Sequence, residues 1–262
     1  MKFFKNSALV ASVLLLALGL LVWFLPARVA MLWITPPHKL RLQQVRGLLW
    51  EGSGAVITAA GRPLGQARWL LSRSAIWGKP QLQLDFTGPQ LDFSGHMQKR
   101  AAGQIEWRDV HARADMALLD AYAALPIGQP RGELHSAVDH LLLEGGWPMQ
   151  LQATAQWTGA AMHRPTGDVP LGSLNLEAQA TNGVITAQLH DDGRGPLDAK
   201  GSLQLSPLGW RLDVTLRSRQ TEPALSHWLA GLGRPDAGGT LHIQRSGGLA
   251  IGLPAAPPPR TP

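Results

Sequence analysis

The sequence predicts a mainly β protein, in which one N-terminal transmembrane helix precedes a large curved antiparallel β-sheet domain with two short helices. Three features predict this class: an uncharged apolar stretch near the N-terminus, long alternation of apolar and polar residues, and turn-forming residues between the alternating stretches. The 262 residues include 29 glycines and 20 prolines, which favours many short strands over a helical bundle.

The apolar stretch covers residues 8–25 and contains no charged residue. A helix of this length spans about 27 Å, close to the thickness of the bilayer hydrocarbon core. It is longer than a usual signal-peptide core, and Pro26 and Arg28 fit poorly at a cleavage site, so we expect an uncleaved transmembrane helix. Trp23 and Trp33 flank its exit as an aromatic belt does.

Charges at the N-terminus predict the orientation of the chain. Lys2 and Lys5 precede the apolar stretch, and the positive-inside rule keeps such a tail in the cytoplasm, although several basic residues beyond the stretch weaken this preference. The last residues are rich in Gly, Ala and Pro and cannot form a core. The predicted divisions are a cytoplasmic tail at 1–7, the transmembrane helix at 8–25, a membrane-proximal linker at 26–38, an antiparallel β domain at 39–247 and a disordered Pro-rich tail at 248–262.

Strands are predicted where apolar and polar residues alternate, because such strands have one buried and one exposed face. This pattern favours antiparallel pairing, since the strands of parallel sheets are usually buried on both faces. Asn182-Gly183 and Asp192-Gly193 are typical hairpin turns. About a dozen strands are expected between Lys39 and Arg245, with the clearest alternation at 81–86, 150–157, 174–179 and 210–217.

Two helices and a shorter helical turn, near Ser72 to Trp77, interrupt the predicted strands. The first helix follows a cap at Asp115, and its apolar face carries Leu118, Leu119, Tyr122 and Leu125. The second follows a cap at Thr221 and stops at Gly233, and its apolar face carries Leu225, Trp228, Leu229 and Leu232. Two helices cannot cover the apolar face of so many strands. The sheet must therefore curl on itself, pack on a second sheet, or leave an apolar trough for a ligand or partner.

The charge pattern argues against a nucleic acid partner. The net charge is +6, but acidic residues are interspersed with basic ones and no run of Lys or Arg occurs. We interpret the basic excess as a property of solubility or of a membrane surface. The chain has no Cys, which excludes disulfides, thiolate metal sites and a Cys nucleophile.

Enzyme motifs with the required spacing are absent, including G-x-S-x-G, H-E-x-x-H and the P-loop. Asp109 and His111 would share a strand face, but such a pair is more often an ordinary surface pair than an acid–base pair. His135 and His140 lie five residues apart on one predicted strand and should face opposite sides of the sheet.

Asp191 and Asp192 have the chemistry to bind a cation, but a hairpin turn explains both of them. We therefore predict no catalytic, cofactor-binding or metal-binding residue, no cofactor and no enzymatic activity. The tryptophans favour core packing over a stacking platform for sugars or bases, since several are in phase with Leu on the apolar strand faces. They are Trp50, Trp69, Trp77, Trp107, Trp147, Trp157, Trp210 and Trp228.

Three segments resemble a known family in their order and spacing. They are "VRGLLWEGSGAVI", "RPLGQARWLLSRSAIWGKPQLQLDFTG" and "LAGLGRPDAGGTLHIQRSG". Together with the apolar N-terminus they are similar to the N protein of the bacterial type II secretion system, from about Pro26 to Gly247. The matching positions are Val45, Gly47, Trp50 and Gly52, then Leu64, Gly65 and Trp69, then Leu232, Gly233, Arg234, Asp236 and Gly239.

This resemblance implies a single-pass protein of the bacterial cell inner membrane with a periplasmic β domain. It implies an accessory part in protein transport, in a machine that exports folded proteins through an outer-membrane pore, with other type II secretion inner-membrane components as partners. A more distant similarity to anchored AsmA-like envelope proteins implies a lipid or hydrophobic ligand instead. The family brings no catalytic residues.

The sequence leaves three hypotheses about function. The first is a membrane-anchored β domain that docks other secretion components through strand edges or a polar face. The second is an AsmA-like envelope protein that binds or transports lipid in an apolar trough. The third, a hydrolase with an unrecognised site, has no residue constellation to support it.

Overall fold

The structure, a computed structural model, describes residues 40–58, 61–121, 127–220 and 222–248. Among these residues no helix is both long and apolar enough to cross a membrane. The predicted cytoplasmic tail, transmembrane helix and linker lie outside the described residues, and so does the predicted C-terminal tail apart from Gly248.

The mainly β prediction is confirmed, with thirteen strands in the described part of the chain. They form one antiparallel sheet in which each strand lies beside the next one in sequence. The strands are β1 (Leu40–Gly47), β2 (Glu51–Thr58), β3 (Pro63–Leu71), β4 (Gln81–Thr87), β5 (Leu91–Ala101), β6 (Gln104–Asp115), β7 (Gln129–Glu144), β8 (Trp147–Arg164), β9 (Gly167–Thr181), β10 (Val184–Asp191), β11 (Leu197–Ser206), β12 (Gly209–Ser218) and β13 (Thr240–Gly248).

The predicted hairpin dipeptides lie in turns of this sheet. Asn182 and Gly183 both have positive φ, 51° and 78°, and connect β9 to β10 by a two-residue turn. These backbone angles are those of the turns that match the twist of antiparallel strands. Asp192-Gly193 begins a longer connection between β10 and β11, in which the Asp192 carboxylate accepts the N–H groups of Arg194 and Gly195.

Helical structure is limited to one α-helix and two 3-10 turns within the described residues. The 3-10 turns are η1 (Arg73–Trp77), where a helical turn is predicted, and η2 (Met116–Ala121), where Asp115 accepts the Ala117 N–H as expected of a cap. The α-helix, α1 (Pro223–Leu232), has Glu222 at its N-cap position, and Thr221 lies outside the described residues. Pro223 and Gly233 stand just inside its start and just past its end, as helices favour.

The sheet divides into two compact units, one up to Gln98 and one from Lys99 onwards. In the first unit the buried apolar residues are Val45, Trp50, Val56 and Ala67. In the second, α1 packs on the apolar face of the sheet and forms a larger core with strands β8, β9, β11, β12 and β13. The buried members of this core are Ala160, Met162, Val169, Leu171, Leu174, Leu197, Ala199, Leu216, Leu225, Trp228, Leu229 and Leu241.

Candidate functional site

β13 is the last strand of the sheet within the described residues, and it presents a regular edge. It pairs with β12 over nine consecutive positions without a bulge. Leu241 is buried and Ile243 packs against the same core, so the strand is held firmly on its inner face. A flat, well-seated edge strand offers backbone N–H and C=O groups to a strand of another chain. The exposed side chains of this edge are His242, Gln244, Arg245 and Ser246.

β1, the first strand of the sheet, has a different edge. Its register with β2 shifts between Gln43 and Arg46, and Gln44 has a φ of 52°, so the strand carries a bulge. Arg41 and Arg46 on this strand are exposed. Bulges and edge charges are the features by which natural sheets discourage pairing with another strand.

α1 covers one end of the apolar sheet face in the second unit. Leu225, Trp228 and Leu229, spaced three and four residues apart, form the buried side of the helix. The Trp228 indole N–H donates to the Ile127 carbonyl at 2.8 Å, which ties the helix to the connection between β6 and β7. This end of the face is closed by the protein itself.

The other end of that face remains accessible. Leu176 alternates with buried Leu174 on β9, and Trp210 alternates with buried Leu216 on β12, so both belong to the apolar face. Their exposed fractions are 37% and 39%. Within the described residues no helix covers this end of the face, which agrees with the shortage of helical cover predicted from the sequence.

Glu106 on β6 is the buried carboxylate that sequence reasoning missed. It is 1% exposed and accepts hydrogen bonds from Arg100 and Arg108, including N–H···O distances of 2.9 and 2.8 Å. Nε2 of His140 lies 2.9 Å from the same carboxylate. This hydrogen bonding raises the pKa of the Arg100 guanidinium. The cluster joins β5, β6 and β7. The sequence feature that could have revealed it is the acidic residue Glu106 within a strand, with Arg100 and Arg108 nearby.

The prediction that His135 and His140 face opposite sides is wrong. Between Val138 and His140 the pairing of β7 with β8 shifts by one residue, so Asp139 is extra and the alternation changes phase. His135 therefore lies opposite Gln156 and His140 opposite Gln152, on the same polar face.

Asp109 and His111 do not form the regular strand pair that their spacing suggests. Asp109 has a φ of 49° and is skipped in the pairing of β6 with β7, while His111 lies opposite Ala137. No group of three or more His, Asp or Glu residues within the described ranges is arranged to hold a metal ion.

Asp191 is a structural carboxylate at the end of β10. Burial would raise its pKa, but hydrogen bonds from Arg219, at 2.5 Å, and from the N–H groups of Ala199 and Gly193 outweigh this and lower the pKa to about 2. Arg219 also donates to the Leu197 carbonyl, so the pair fixes the start of β11 against the end of β12. The carboxylate serves the turn, as the hairpin explanation predicted for it.

The family model described as "Type II secretion system (T2SS), protein N" matches residues 38–244, which is most of the chain. The chain belongs to the type II secretion system protein N family. It is thus a component of the secretion machinery, and the family resemblance seen in the sequence is confirmed. The match covers nearly all of the strands in the described residues.

Curated members of the family are similar along almost their whole length. The chain is 28% identical over 260 residues to "Type II secretion system protein N" of Aeromonas hydrophila, covering 93% of this chain and 99% of the relative. It is 26% identical to the protein of the same name from Vibrio cholerae, covering 86% and 91%, and 29% identical to that from Klebsiella pneumoniae, covering 87% and 91%. No solved structure matches the chain.

The family-like glycines lie where a side chain would collide. A Cβ on Gly47, which has a φ of 86°, would lie 2.5 Å from the Glu51 carbonyl oxygen, and one on Gly65 would lie 2.4 Å from that of Thr87. Gly52 lies opposite Trp69, whose ring would be 2.4 Å from an added Cβ. The glycines at these positions therefore act as fold determinants.

The third family segment forms the connection from α1 to β13. A Cβ on Gly233 would lie 2.8 Å from Leu241, so this glycine lets the helix end close to the last strand. Asp236 accepts the N–H groups of Gly238 and Thr240 at 2.9 and 2.8 Å. The Asp236 carboxylate also lies 3.9 Å from Nε2 of His242, and it forms no ion pair with Arg234 within the described residues.

The prediction that the tryptophans are core residues is confirmed for most of them. Trp50 and Trp228 are buried, and the indole N–H groups of Trp69, Trp147 and Trp157 donate to backbone carbonyls. The prediction is wrong for Trp77, which lies in η1 with its side chain in solvent, and for Trp210, which is exposed on the apolar face of β12. The strand alternation ends before Trp77, so it carries no information about that residue.

Proposed function

We propose that this chain is an accessory, non-catalytic inner-membrane component whose β sheet lies in the periplasm and docks other type II secretion components. Family membership supports the setting, the uncharged residues 8–25 support the anchor, and Lys2 and Lys5 support its orientation. The observation that carries the docking role is the regular edge of β13, which lacks the bulge found in β1.

Strand addition is the mode of contact that this edge favours. A strand from a partner would extend the sheet through backbone hydrogen bonds, which need no particular side-chain sequence at the edge. Exposed polar side chains at His242, Gln244 and Ser246 keep the strand soluble when it is unpaired. The contact would therefore be reversible and specific in position.

Cross-linking from single cysteines tests this proposal, because the chain has no native Cys. Gln244→Cys on β13 and Gln43→Cys on β1 place matched, exposed thiols on the two end strands. With a short thiol-to-photoprobe reagent in cells, we expect an adduct containing another secretion component from position 244 and much less from position 43. Equal yields, or adducts without any secretion component, would remove the basis for docking at β13.

Lipid binding is a second candidate, and the accessible end of the apolar face in the second unit favours it. Leu176 and Trp210 are large apolar residues on a face whose other end is closed by α1. An acyl chain placed there would cover the area that the helix leaves uncovered.

Native mass spectrometry of the detergent-extracted full chain tests the lipid candidate. Co-bound phospholipid should be lost in Leu176→Gln and retained in Leu208→Gln, because Leu208 is an exposed leucine in the turn between β11 and β12. Equal lipid retention in the two variants would show that the bound lipid is at another place, such as the N-terminal segment.

A further inference from the structure

Ile76 and Trp77 are adjacent apolar side chains held in solvent. Trp77 is 82% exposed and Ile76 is 49% exposed, and both lie in η1 between β3 and β4. Trp is usually buried to a large extent, and an exposed apolar pair at the end of a sheet is typical of a contact surface.

Hydrogen bonds of its own fix the conformation of this turn. The Ser72 hydroxyl accepts the Ser74 N–H at 3.3 Å, and the Ser74 hydroxyl donates to the Lys79 carbonyl at 2.6 Å. The N–H of Gly78, whose φ of 75° closes the turn, donates to the Ala75 carbonyl at 3.0 Å. Because the backbone of the turn is already ordered, little conformational entropy is lost when the two side chains leave water for a contact surface.

Within the segment 70–81 the charged residues are all basic, and the exposed Glu51 of β2 lies nearby, opposite Leu70 at the end of β3. Arg73 and Lys79 flank it and are exposed, and residues 70–81 contain no Asp or Glu. Aromatic and aliphatic side chains flanked by cations are the composition of segments that sit in the interfacial region of an anionic bilayer.

The size of the pair favours a bilayer over a protein pocket. A stable protein interface of standard size buries roughly 800 Å² on each partner. Two side chains on a single turn fall short of that area, and in the described part of the first unit the other exposed large apolar residue is Leu70. Contact with a bilayer requires no minimum buried area. A few apolar groups with neighbouring cations are enough to hold a turn in the interface when the chain is already attached to the membrane.

We propose that η1 is a second membrane contact, in which Ile76 and Trp77 enter the interface of the bilayer that holds the N-terminal segment while Arg73 and Lys79 contact anionic headgroups. The inference rests on the anchoring proposed above and not on docking by β13. η1 lies at the opposite end of the strands from the start of β1, about 26 Å away for eight residues. An extended linker at 26–38 reaches about 40 Å, so the strands of the first unit can lie along the membrane.

A fluorescent label beside Trp77 in the full chain tests the contact. Ile76→Cys carries an environment-sensitive dye, Gln90→Cys in the exposed turn between β4 and β5 is the matched control, and each protein is reconstituted into vesicles of phosphatidylethanolamine with phosphatidylglycerol. We expect a blue-shifted emission, quenched by lipids brominated near the headgroup, at position 76 only. Flotation of the protein with the vesicles reports the N-terminal anchor separately.

Three variants connect the signal to the named residues. Trp77→Ser should abolish the shift without changing the fold, because the side chain is exposed. Arg73→Gln and Lys79→Gln should each lower the ratio of inserted to free turn roughly fivefold, the effect of one basic residue near an anionic surface.

Several outcomes would overturn the proposal. A label at position 76 that stays aqueous in floated vesicles, or a shift unchanged in Trp77→Ser, would refute the contact. If the blue shift of the dye appeared only after a second population of protein-free vesicles was added, η1 would contact a bilayer other than the one that holds the N-terminal segment. That result would refute the proposal. Burial of the label in cell membranes but not in protein-free lipid would assign η1 to a pocket in a partner protein instead.

Discussion

The two end strands of the sheet differ in how readily a strand of another chain can pair with them. β1 carries a bulge around Gln44, whereas β13 pairs evenly with β12 and rests on the buried Leu241, and exposed arginines lie on both strands. An edge that would pair indiscriminately is normally blunted during evolution. The regularity of β13 therefore supports the proposal that this edge pairs with a partner strand, whereas the bulge of β1 is a feature that discourages such pairing.

The largest expected difference between the two edges is in stability. Leu241→Ala removes a buried leucine from the core beneath β13 and should lower the free energy of unfolding by about 3 kcal/mol. Leu42→Ala on β1, where the leucine is half-buried, should cost about 1 kcal/mol. Urea unfolding of the two variants measures both values. Similar losses would mean that β13 is no better seated than β1.

A smaller effect is expected at Asp191, which fixes β11 and β12 beside β13. Its folded pKa, about 2, lies below the 3.8 of an ordinary aspartate, so its stabilising contribution is complete above pH 4 and is lost as the pH falls towards 2. The shift corresponds to about 2 kcal/mol. Asp191→Asn should be less stable at pH 7 by about that amount and should lose less stability on acidification.

Acid and neutral unfolding curves of the wild type and Asp191→Asn measure this contribution. The Asp192→Asn variant is a control for an exposed neighbouring carboxylate, which accepts the N–H groups of Arg194 and Gly195 and a hydrogen bond from the side chain of Ser173. If Asp191→Asn and the wild type lost stability in parallel between pH 4 and pH 2, the ion pair with Arg219 would not account for the low pKa.

The smallest effect on stability is expected at the exposed edge residues themselves. Gln244→Lys on β13 and Gln43→Lys on β1 should each change the free energy of unfolding by less than about 0.5 kcal/mol, since both side chains are exposed. An edge lysine opposes strand addition, so Gln244→Lys should reduce cross-linking to secretion components from a neighbouring thiol at Ser246→Cys. Gln43→Lys should leave that yield unchanged.

Much of the sheet follows from the sequence wherever the period of two is unbroken over several residues. The alternation in β8 and β12 and the Asn182-Gly183 turn predict the strands, their antiparallel pairing and one tight hairpin. The family segments predict glycines at which any side chain would collide, such as Gly52 against Trp69. In each case the constraint is local.

The parts that escaped prediction depend on breaks in that period or on distant partners. The bulge at Asp139 moves His140 onto the face of His135, and only the change of apolar phase from Val138 to Leu141 signals it in the sequence. Glu106 acquires its partners from neighbouring strands, so its burial follows from pairing that the sequence does not specify. Trp77 lies beyond a strand end, where alternation carries no information about exposure.

Hydrogen exchange at the backbone of β13 tests the docking account most directly. Amide exchange would be measured along Thr240–Gly248 and along Leu40–Gly47, in the full chain alone and in membranes that contain the other secretion components. Strand addition predicts slower exchange at alternate β13 amides in the assembled machinery and no change in β1. Unchanged exchange in β13 on assembly would contradict the central claim that this edge is the docking surface.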